Sequence, residues 1–582
     1  MHVLGLSFNY HDSAACLVSN GKIVAACEEE RFSRRKHDSA YPRGAIEFCL
    51  KEGGIGVPDL DHIVFYEKPL VKFDRILRVT LSEWPRALPL FADSTRQWMR
   101  GKIFVLGEIK KQTGFRKPVL TVPHHSAHAA SAYYPSGFES AAILTMDGVG
   151  EWTTTAIGHG KGPRFETLRE IRFPHSIGLF YSALTAYLGF KVNDAEWKVM
   201  GLAPYGKPTL LEKFRKLVQQ RPDGSFRFDL SYFSHPWSRR SMITRRWEEL
   251  FGAPPRARET ELTDFHRDLA ASGQALAEEL ILGVAREARR LTGEKRLCIG
   301  GGVGLNCVAN WKIQSEGIFD EVFIQPGAGD DGGALGAACL VSHGILGEPR
   351  PGPMDHAFFG PSWSDDEIRA FARSRSLPHQ SFNNESLVKW TAEQIAKGEV
   401  VGFFQGRQEF GPRSLGHRSL LAHPGMPGMK DKINAKVKYR EAFRPFAPAV
   451  QAEKAHLYFD MPEGLKIPYM LMTPQVRPAW RERLSAITHA DGSARVQTVD
   501  KKVDPLFHAL LGAVEQQTGA AVLLNTSFNV RGEPLVTSPG DAWDCYVRSG
   551  IDVLVMGTLA FTQKPATVDH EAALRHSVSL EA

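Results

Sequence analysis

Two glycine-rich turns from strand to helix constrain the fold of this chain more than any other feature. They lie in RLCIGGGVGLNCVANWKI and VFIQPGAGDDGGALGAACLVSHG, within residues 296–344. Glycine lets backbone N–H groups approach a ligand closely, and a helix N-terminus favours negative charge. The pattern therefore predicts an α/β fold that binds a phosphate-bearing ligand. No G-x-G-x-x-G with a downstream acidic residue appears where a dinucleotide-binding domain requires it, so that alternative is disfavoured.

Two hairpins precede these turns and indicate a more specific architecture. HVLGLSF, SAACLV and KIVAACEEE read as three strands, and Asn20–Gly21 supplies a type I′ turn between the last two. A second strand–turn–strand pattern is AAILTMDGVGEWTTTAIGHG, with Asp147–Gly148 at its turn. Hairpins whose loops face a nucleotide, combined with glycine-rich strand-to-helix turns, predict the actin-like fold of paired βββαβα halves.

The length of 582 residues predicts two or three domains. A Gly- and Pro-rich stretch at about 347–367 is the candidate linker, so we expect an actin-like domain over 1–355 and a second α/β domain over 363–570. Residues 207–262 have poor periodicity and are interpreted as an insertion near a substrate site. Its arginines and aromatic residues indicate a fairly large, partly apolar substrate (Tyr232, Phe233, Trp237, Trp247 and Phe251).

Composition excludes several classes of protein. Apolar residues make up 43% and charged residues 23% of the chain, as in soluble globular proteins. No apolar run approaches the roughly 20 residues that span a bilayer, and the first residues lack the pattern of a signal peptide. None of the seven cysteines forms a C-x-x-C pair. We therefore expect a cytoplasmic protein without a membrane partner.

The net charge of +6 is concentrated in one stretch. Between Gln405 and Arg444 there are nine Lys or Arg residues and three Asp or Glu residues, a difference of six. The arginines alternate with Gly, Pro and Ser instead of being interleaved with aromatic residues, which argues against a nucleic-acid surface. The stretch is more typical of a compact pocket for a small phosphorylated substrate.

Three histidines occur within five positions in PHHSAHAASAYY, residues 123–134. If this stretch is helical, His124 and His128 share one face, one turn apart. Two neutral imidazoles at this spacing can bind a transition metal, although two histidines at a helix start can also be purely structural. Asp147 at the second hairpin and Asp330 in the glycine loop would complete a mixed N/O ligand set suited to Fe(II), Mn(II) or Zn(II).

Motifs spread from residue 1 to about 560 resemble a known family. HHSAHAASAYYPSGF, TMDGVGE, WKVMGLAPYG, GGVGLNCVAN and PGAGDDGGALGAA are similar to the O-carbamoyltransferases, the group that includes nodulation protein NodU and tobramycin carbamoyltransferase. EFGPRSLGHRS, KYREAFRPFAP and LLNTSFNVRGEP continue the resemblance. It implies an N-terminal domain similar to the tRNA threonylcarbamoyl-transferase fold and a YrdC-like second domain.

The resemblance implies a two-stage reaction. In the second domain, carbamoyl phosphate and ATP, with Mg²⁺, would give carbamoyl-adenylate and pyrophosphate. In the first domain, the carbamoyl group would pass to a hydroxyl of a small molecule of the natural-product or antibiotic type, releasing AMP. His124, His128, Asp147 and Asp330 would bind iron that holds nucleotide phosphate, a role that Mn or Zn could also fill.

The resemblance also implies roles for other residues. In the second domain, anion binding is expected from Arg413, Lys438 and Arg444, and contacts to carbamoyl and phosphate from Asn525 and Ser527. In the first domain, nucleotide contacts are expected from Lys36, Gly148, Gly301, Gly302 and Asn306. The alternatives are a solvated surface lysine at Lys36, tight turns without a ligand at the glycines, and solubility charges at the arginines.

His11 is the residue expected to carry the transfer chemistry. It lies in YHDSA of the first hairpin loop, and by resemblance this loop faces the nucleotide. An imidazole with a pKa near 6.5 can take a proton from an acceptor hydroxyl in the transition state. Asp12 is expected to orient the acceptor, and Asp229 to assist as a second carboxylate. A purely structural His11, bonded to the loop backbone, is the alternative.

Two other functions remain open at this point. A tRNA threonylcarbamoyl-transferase shares both domain types, but the basic stretch is confined to the motifs of the second domain. A non-enzymatic actin-like regulator that binds nucleotide would not need four metal-ligand candidates. We therefore expect a small alcohol, carbamoyl phosphate and ATP as partners, no nucleic acid, and a homodimer as one option.

Overall fold

The computed structural model describes residues 1–350, 352–441 and 443–565. The chain folds into two compact units. The first contains Met1–Glu29 and Ser39–Met354. The second contains Asp355 onward together with Glu30–Asp38, in which α1 covers Glu30–Ser33. Residues 566–570 of the expected second domain lie outside the described ranges.

The first unit contains two five-stranded sheets and a small hairpin. The first sheet has the order β3-β2-β1-β4-β5, and the second has the order β8-β7-β6-β11-β12. The strands are β1 (His2–Ser7), β2 (Ala14–Ser19), β3 (Lys22–Glu28), β4 (His62–Phe65), β5 (Leu120–Thr121), β6 (Ser140–Met146), β7 (Thr153–Lys161), β8 (Arg164–Arg172), β9 (Val218–Gln220), β10 (Phe226–Phe228), β11 (Arg296–Gly300) and β12 (Glu321–Ile324).

The two large sheets repeat one topology. In each, the first three strands form an antiparallel meander, and the next two strands add in parallel to the first strand. This duplication is the paired-half architecture that the sequence predicted, so the actin-like fold is confirmed. The type I′ turn is also confirmed, because Asn20 and Gly21 both have positive φ, 49° and 75°.

Helices α6 and α13 occupy equivalent positions in the two halves of the first unit and pack against each other. α6 follows the last strand of the first half, and α13 follows the last strand of the second. A Cβ on Gly336 of α13 would lie 1.8 Å from the carbonyl oxygen of Ala127 on α6, so only glycine allows this approach. The helices are α2 (Arg43–Glu52), α3 (Pro69–Ser82), α4 (Leu88–Arg100), α5 (Val105–Thr113), α6 (His124–Tyr133), α7 (Ile177–Tyr187), α8 (Glu196–Leu202), α9 (Leu211–Arg215), α10 (Arg246–Phe251), α11 (Asp264–Thr292), α12 (Cys307–Ser315) and α13 (Asp330–Cys339).

Residues 207–262 form a folded segment whose aromatic residues share a core with α7. The segment contains α9, the β9–β10 hairpin and α10. Phe233, Trp247 and Phe251 are 1%, 0% and 4% exposed, and they pack on one another and on Phe214. These three rings do not support the expectation of a large, partly apolar substrate, because their burial in the core leaves them no face for a ligand.

The second unit is an α/β domain built on one mixed sheet. The strand order is β13-β22-β21-β14-β15-β20-β16-β19, and α15 and α18 cover one face of the sheet around Phe403, Leu510 and Leu523. Its strands are β13 (Gln380–Ser381), β14 (Val401–Phe404), β15 (Arg418–Ala422), β16 (Ala447–Gln451), β17 (Phe459–Asp460), β18 (Gln475–Val476), β19 (Gln497–Val499), β20 (Val522–Ser527), β21 (Val553–Met556) and β22 (Leu559–Phe561). Its further helices are α14 (Asp365–Ser374), α15 (Asn384–Ala396), α16 (Met429–Ile433), α17 (Ala455–Tyr458), α18 (Pro505–Thr518) and α19 (Pro539–Arg548).

The predicted start of α14 is confirmed in detail. Ser364 accepts a hydrogen bond from the backbone N–H of Glu367, and the Glu367 carboxylate accepts one from the backbone N–H of Ser364. Within the described ranges, no helix combines the length and the hydropathy that crossing a membrane requires.

Candidate metal and nucleotide site

Four side chains from three elements of the first unit converge on one point. His124 and His128 project from the first turns of α6, and Asp330 begins α13. Asp147 follows β6, at the start of the hairpin loop. One ligand atom of each lies within 4.8 Å of the others, although the four residues are spread over more than 200 positions of sequence. The close packing of α6 on α13 is what brings the carboxylate of Asp330 to the imidazoles.

The distances within this group suit a single cation. The two histidine Nε2 atoms are 3.0 Å apart, and each is 3.6 Å from Asp330 Oδ1. Asp147 Oδ2 is 3.1 Å from His124 Nε2 and 3.9 Å from His128 Nε2. Four N and O ligands at about 2.0–2.2 Å from a tetrahedral metal lie roughly 3.3–3.6 Å from one another. The mixed N/O set therefore fits Fe(II), Mn(II) or Zn(II).

Without a metal, the charges of the histidines and the carboxylates in this group stabilise each other. Burial opposes the charge on His124, but Asp330 and Asp147 together raise its pKa to about 9. Burial likewise acts to raise the pKa of Asp147, yet the hydrogen bond from His124 and the neighbouring histidine charges hold it well below its usual range. His124 Nδ1 and His128 Nδ1 are enclosed and have no hydrogen-bond partner among the described residues. The Nε2 atoms are therefore the ring nitrogens that face the carboxylates and could ligate one cation.

A second layer of residues orients these ligands. The hydroxyl of Tyr66 donates to Asp330 Oδ2 at 3.2 Å, and the backbone N–H of Gly302 donates to Asp147 Oδ1 at 3.1 Å. The carboxylate of Glu151 accepts the backbone N–H of His124 at 3.0 Å, which caps the start of α6. Sequence reasoning missed Tyr66 and Glu151. Glu151 had a signal, since it stands in the same hairpin loop as Asp147.

His11 lies in the loop between β1 and β2, half-buried, with Asp12 as its partner. Its Nδ1 is 2.8 Å from Asp12 Oδ2. Burial opposes the imidazolium, but the hydrogen bond to Asp12 and the charges of Asp330, Asp12 and Asp147 raise the pKa of His11 to about 9. The structure thus differs from the expected pKa near 6.5, because three carboxylates face the ring. The hydrogen bond from His11 lets Asp12 fix the orientation of the imidazole ring.

The glycine positions expected at the nucleotide lie beside the metal group. Gly301 has φ 88°, and a Cβ there would meet the carbonyl oxygen of Met146 at 2.3 Å. Gly302 contacts Asp147, and the carbonyl of Gly148 accepts a hydrogen bond from Ser176 at 2.7 Å. Asn306 caps α12 by accepting the N–H of Ala309 at 3.1 Å.

Asp229 is placed away from this group, and Lys36 belongs to the other unit. Asp229 is exposed, and its carboxylate accepts bonds from the backbone N–H and hydroxyl of Ser231 at 3.0 and 2.6 Å. This capping role lies in the 207–262 segment, and no contact joins Asp229 to the metal ligands among the described residues. Lys36 is exposed in Glu30–Asp38, the segment that belongs to the second unit.

The second unit brings Lys438 and Ser527 together. The Lys438 ammonium, 3% exposed, donates to Ser527 Oγ at 3.0 Å, and to the backbone oxygen and Oδ1 of Asn529 at 2.9 and 2.7 Å. Burial and the charges of Arg440 and Arg444 hold the pKa of Lys438 well below its usual range. Lys438 therefore positions the end of β20, and Asn529 is a partner that sequence reasoning missed.

Asn525 and Arg413 of the second unit are connected through Ser414. Asn525, fully buried on β20, donates to Gln497 Oε1 at 2.8 Å and accepts from Ser414 Oγ at 3.5 Å. Ser414 adjoins Arg413, which is half-buried in the loop after β14. This network holds the loop that carries Arg413 against β20.

Several cations of the second unit are buried near one another. Burial and the charge of Arg444 lower the pKa of Arg440 well below its usual range, and the charge of Arg495 adds to this effect. Arg444 is 3.4 Å from Glu441. Positive charges that repel one another in a buried region favour binding of an anion, because the anion removes the electrostatic penalty.

Comparison with known protein families gives two matches. A family model described as the carbamoyltransferase N-terminus matches residues 2–339, and one described as the carbamoyltransferase C-terminus matches residues 392–563. Together they cover most of both units.

Three curated proteins are similar over long stretches. An uncharacterized protein of Synechocystis sp. is 43% identical over 97% of this chain and 97% of that protein. The nodulation protein NolNO of Sinorhizobium fredii is 36% identical over 98% of this chain and 81% of that protein. The nodulation protein NolO of Bradyrhizobium diazoefficiens is 38% identical over 78% of this chain and 81% of that protein.

Proposed function

This chain belongs to the carbamoyltransferase family, and we propose that it is an O-carbamoyltransferase that uses ATP and carbamoyl phosphate to carbamoylate a hydroxyl of a small molecule. The observation that carries the proposal is the group of His124, His128, Asp147 and Asp330 in the same unit as His11. A separate buried cationic group in the second unit supports a second anion site. The family assignment sets aside the non-enzymatic regulator.

In the activating half-reaction, the second unit would bind two anionic substrates. Balance requires water: carbamoyl phosphate and water give carbamate and phosphate, and a carbamate oxygen then attacks the α-phosphorus of ATP. The bond to the β-phosphate bridging oxygen breaks, and carbamoyl-adenylate and pyrophosphate result. Arg413 and Arg444 would bind phosphate oxygens, since a guanidinium donates two parallel bonds. Lys438 would hold Ser527 and Asn529 in position for the carbamoyl group.

In the transfer half-reaction, His11 would accept the proton of the acceptor hydroxyl. Asp12 accepts a bond from Nδ1–H, so neutral His11 has its lone pair on Nε2. The acceptor oxygen attacks the carbamoyl carbon, the bond to the phosphate oxygen breaks, and AMP leaves. Gly301 and Gly302 would allow close approach of the nucleotide, with Gly148 and Asn306 at the adjacent loop and helix start.

We propose Fe(II) for the group of His124, His128, Asp147 and Asp330, with Mg²⁺ accompanying ATP. A bound divalent cation supplies positive charge beside the phosphate on which negative charge develops as AMP leaves. The protein's own part is to fix the two Nε2 atoms and two carboxylates, through the cap on α6 and the bonds from Tyr66 and Gly302.

One experiment tests the proposal. The purified protein is incubated with ATP, carbamoyl phosphate and a panel of alcohols, and pyrophosphate is measured alongside the mass of each alcohol. Pyrophosphate release that requires carbamoyl phosphate, together with a mass gain of one carbamoyl group, is the expected result. Transfer to threonylated adenosine in tRNA, with no reaction of the alcohols, would favour the tRNA-modifying alternative. Absence of carbamoyl-dependent pyrophosphate release contradicts the proposal.

A further inference from the structure

α3 and the turn at Lys102 form a wall beside the His11 loop. The backbone N–H of Lys68, just before α3, donates to Glu151 Oε1 at 2.8 Å, and Glu151 also caps α6. The ammonium of Lys102 donates to the carbonyl oxygen of Asn9 at 2.6 Å, two residues before His11. The wall is therefore attached both to the metal-ligand helix and to the loop that carries His11.

Arg75 of α3 is a buried cation with few protein partners. It is 9% exposed, its Nη1 donates to the carbonyl oxygen of Gly150 at 2.9 Å, and its guanidinium lies 5.1 Å from the centre of the Phe173 ring. No carboxylate of the described chain lies within ion-pair distance of Arg75. None of its nitrogens is both fully enclosed and unbonded in the described part of the chain, so the remaining N–H groups keep some exposure to solvent.

Positive charge exceeds negative charge along this wall. Lys72 is paired with Glu67 at 2.5 Å, so the charge of this carboxylate is already neutralised. Lys102 and Arg239 have no ion-pair partner among the described residues, and Arg239 donates to Ser94 Oγ at 3.1 Å. Burial, followed by the charges of Lys72 and Arg239, lowers the pKa of Lys102. Glu67 and Glu151 act electrostatically on Arg75, but Glu67 is paired with Lys72, and Glu151 accepts the backbone N–H groups of Lys68 and His124. A bound anion would therefore stabilise the buried guanidinium and the half-buried ammonium of Lys102.

Tyr10 connects this wall to the catalytic loop. Its ring is 43% exposed, lies 4.7 Å from the ring of His11, and has the ammonium of Lys72 at 5.2 Å. Arg75 is close enough to Tyr10 that its charge acts to lower the pKa of the Tyr10 hydroxyl, although burial raises that pKa overall. An exposed aromatic face next to His11 offers a surface for a ring-shaped acceptor.

We propose that the acceptor alcohol carries an anionic group, a carboxylate or a phosphate or sulfate ester, which Arg75 and Lys102 bind while the hydroxyl reaches His11. This inference rests on the proposed function and names the class of acceptor. The principal rival is that Arg75 binds a phosphate of the nucleotide, since Gly150 belongs to the loop of Asp147.

The test compares acceptors that differ only in charge. The full-length, metal-loaded protein is titrated calorimetrically with D-glucose, D-glucuronate and D-glucose 6-phosphate, and with glycerol, glycerate and glycerol 3-phosphate. We expect at least one acidic compound to bind about tenfold or more tightly than its neutral partner, and Arg75→Gln to remove most of that difference. ADP affinity and pyrophosphate release from ATP and carbamoyl phosphate should stay unchanged in this variant.

Arg78→Gln is the matched control, because Arg78 lies on the same helix, is exposed and pairs with Asp74. It should leave every affinity unchanged. If no acidic compound binds more tightly than its neutral partner, or if Arg75→Gln weakens ADP as much as the acids, the inference is overturned. Pyrophosphate release from ATP and carbamoyl phosphate is measured on the same preparation. Loss of this release would show that the proposed function is wrong, whatever the affinities for the acidic compounds.

Discussion

The Nε2 atoms of His124 and His128 lie 3.0 Å apart, on adjacent turns of one helix. Two ring nitrogens so close cannot both carry protons, and both face the carboxylate of Asp330 at 3.6 Å. This arrangement is stabilised by a shared proton or by a cation. The group is buried, and its ligands are fixed by bonds from Tyr66 and Gly302, so the geometry is preorganised for a metal.

Metal content is the first prediction. We expect about one iron-type ion per chain in protein purified without chelators, because the N/O set and its distances suit Fe(II), Mn(II) or Zn(II). His128→Ala should lower both metal content and carbamoyl transfer, as should dialysis against a chelator. His159→Ala, at a half-buried histidine paired with Glu294, is the control for loss of an imidazole elsewhere. Elemental analysis decides, and full metal retention in His128→Ala would remove that residue from the ligand set.

Much of the first unit could be predicted from sequence because its signals are local. Asn20, Gly21 and Gly301 have positive φ, which few residues adopt, and a Cβ on Gly332 would lie 1.9 Å from the carbonyl oxygen of Gly327. The spacing of His124 and His128 fixes their common face once α6 is helical. Asp147 and Asp330 were expected to join the histidines from their places in the hairpin turn and the glycine loop, and the family resemblance implied the same ligand set.

The misses have physical reasons as well. The aromatic residues of 207–262 have an irregular spacing because they fill a small core between short elements, where neither helical nor strand periodicity develops. Tyr66 follows a buried strand and carries no local mark of its bond to Asp330, which lies 264 positions away. The shared location of Lys72, Arg75 and Lys102 depends on tertiary packing alone.

The protonation of His11 should depend on the metal. Asp330 and Asp147 help to raise its pKa to about 9 without a metal, and a divalent cation would cancel their negative charge. Zn²⁺ binding should therefore lower the pKa of His11, and transfer should rise with pH and level off with a midpoint below 9. NMR titration of the histidine side chains with and without Zn²⁺, assigned with His11→Asn, measures this. A midpoint unaffected by Zn²⁺ would show that these carboxylates do not set the pKa.

The close approach of α6 and α13 should be sensitive to a single methyl group. Gly336→Ala places a Cβ against the carbonyl oxygen of Ala127, and we expect a loss of about 1–3 kcal/mol in the free energy of unfolding. Metal affinity should fall too, because α6 carries His124 and His128 and α13 carries Asp330. Gly107→Ala, in α5 with open space around the new methyl, should be neutral or stabilising by up to about 1 kcal/mol. Urea unfolding of both variants decides, and equal stabilities would contradict the packing argument.

Arg444 should separate the two half-reactions. If it binds phosphate in the activating site, Arg444→Ala should slow pyrophosphate release by about 100-fold or more, as loss of a preorganised charged donor does. Metal content and ADP binding in the first unit should be retained. Arg373→Ala, an exposed arginine on α14, is the control. Normal pyrophosphate release combined with failed transfer would show that the activating site is assigned to the wrong unit.

His11 gives the most direct test of the transfer mechanism. Its Nδ1 is bonded to Asp12, so Nε2 is the atom that would take the proton of the acceptor hydroxyl. His11→Asn should keep the fold, the metal and carbamoyl-adenylate formation, while transfer slows by roughly 100- to 10,000-fold. Pyrophosphate release and carbamoylated product are measured together on one preparation over a range of pH, and the exposed His379→Asn serves as the control. Continued pyrophosphate release without product would support the base assignment, since water can still consume the intermediate. A transfer rate within a few-fold of wild type would exclude His11 as the base and leave Asp12 to be tested, whereas loss of both activities would make His11 structural.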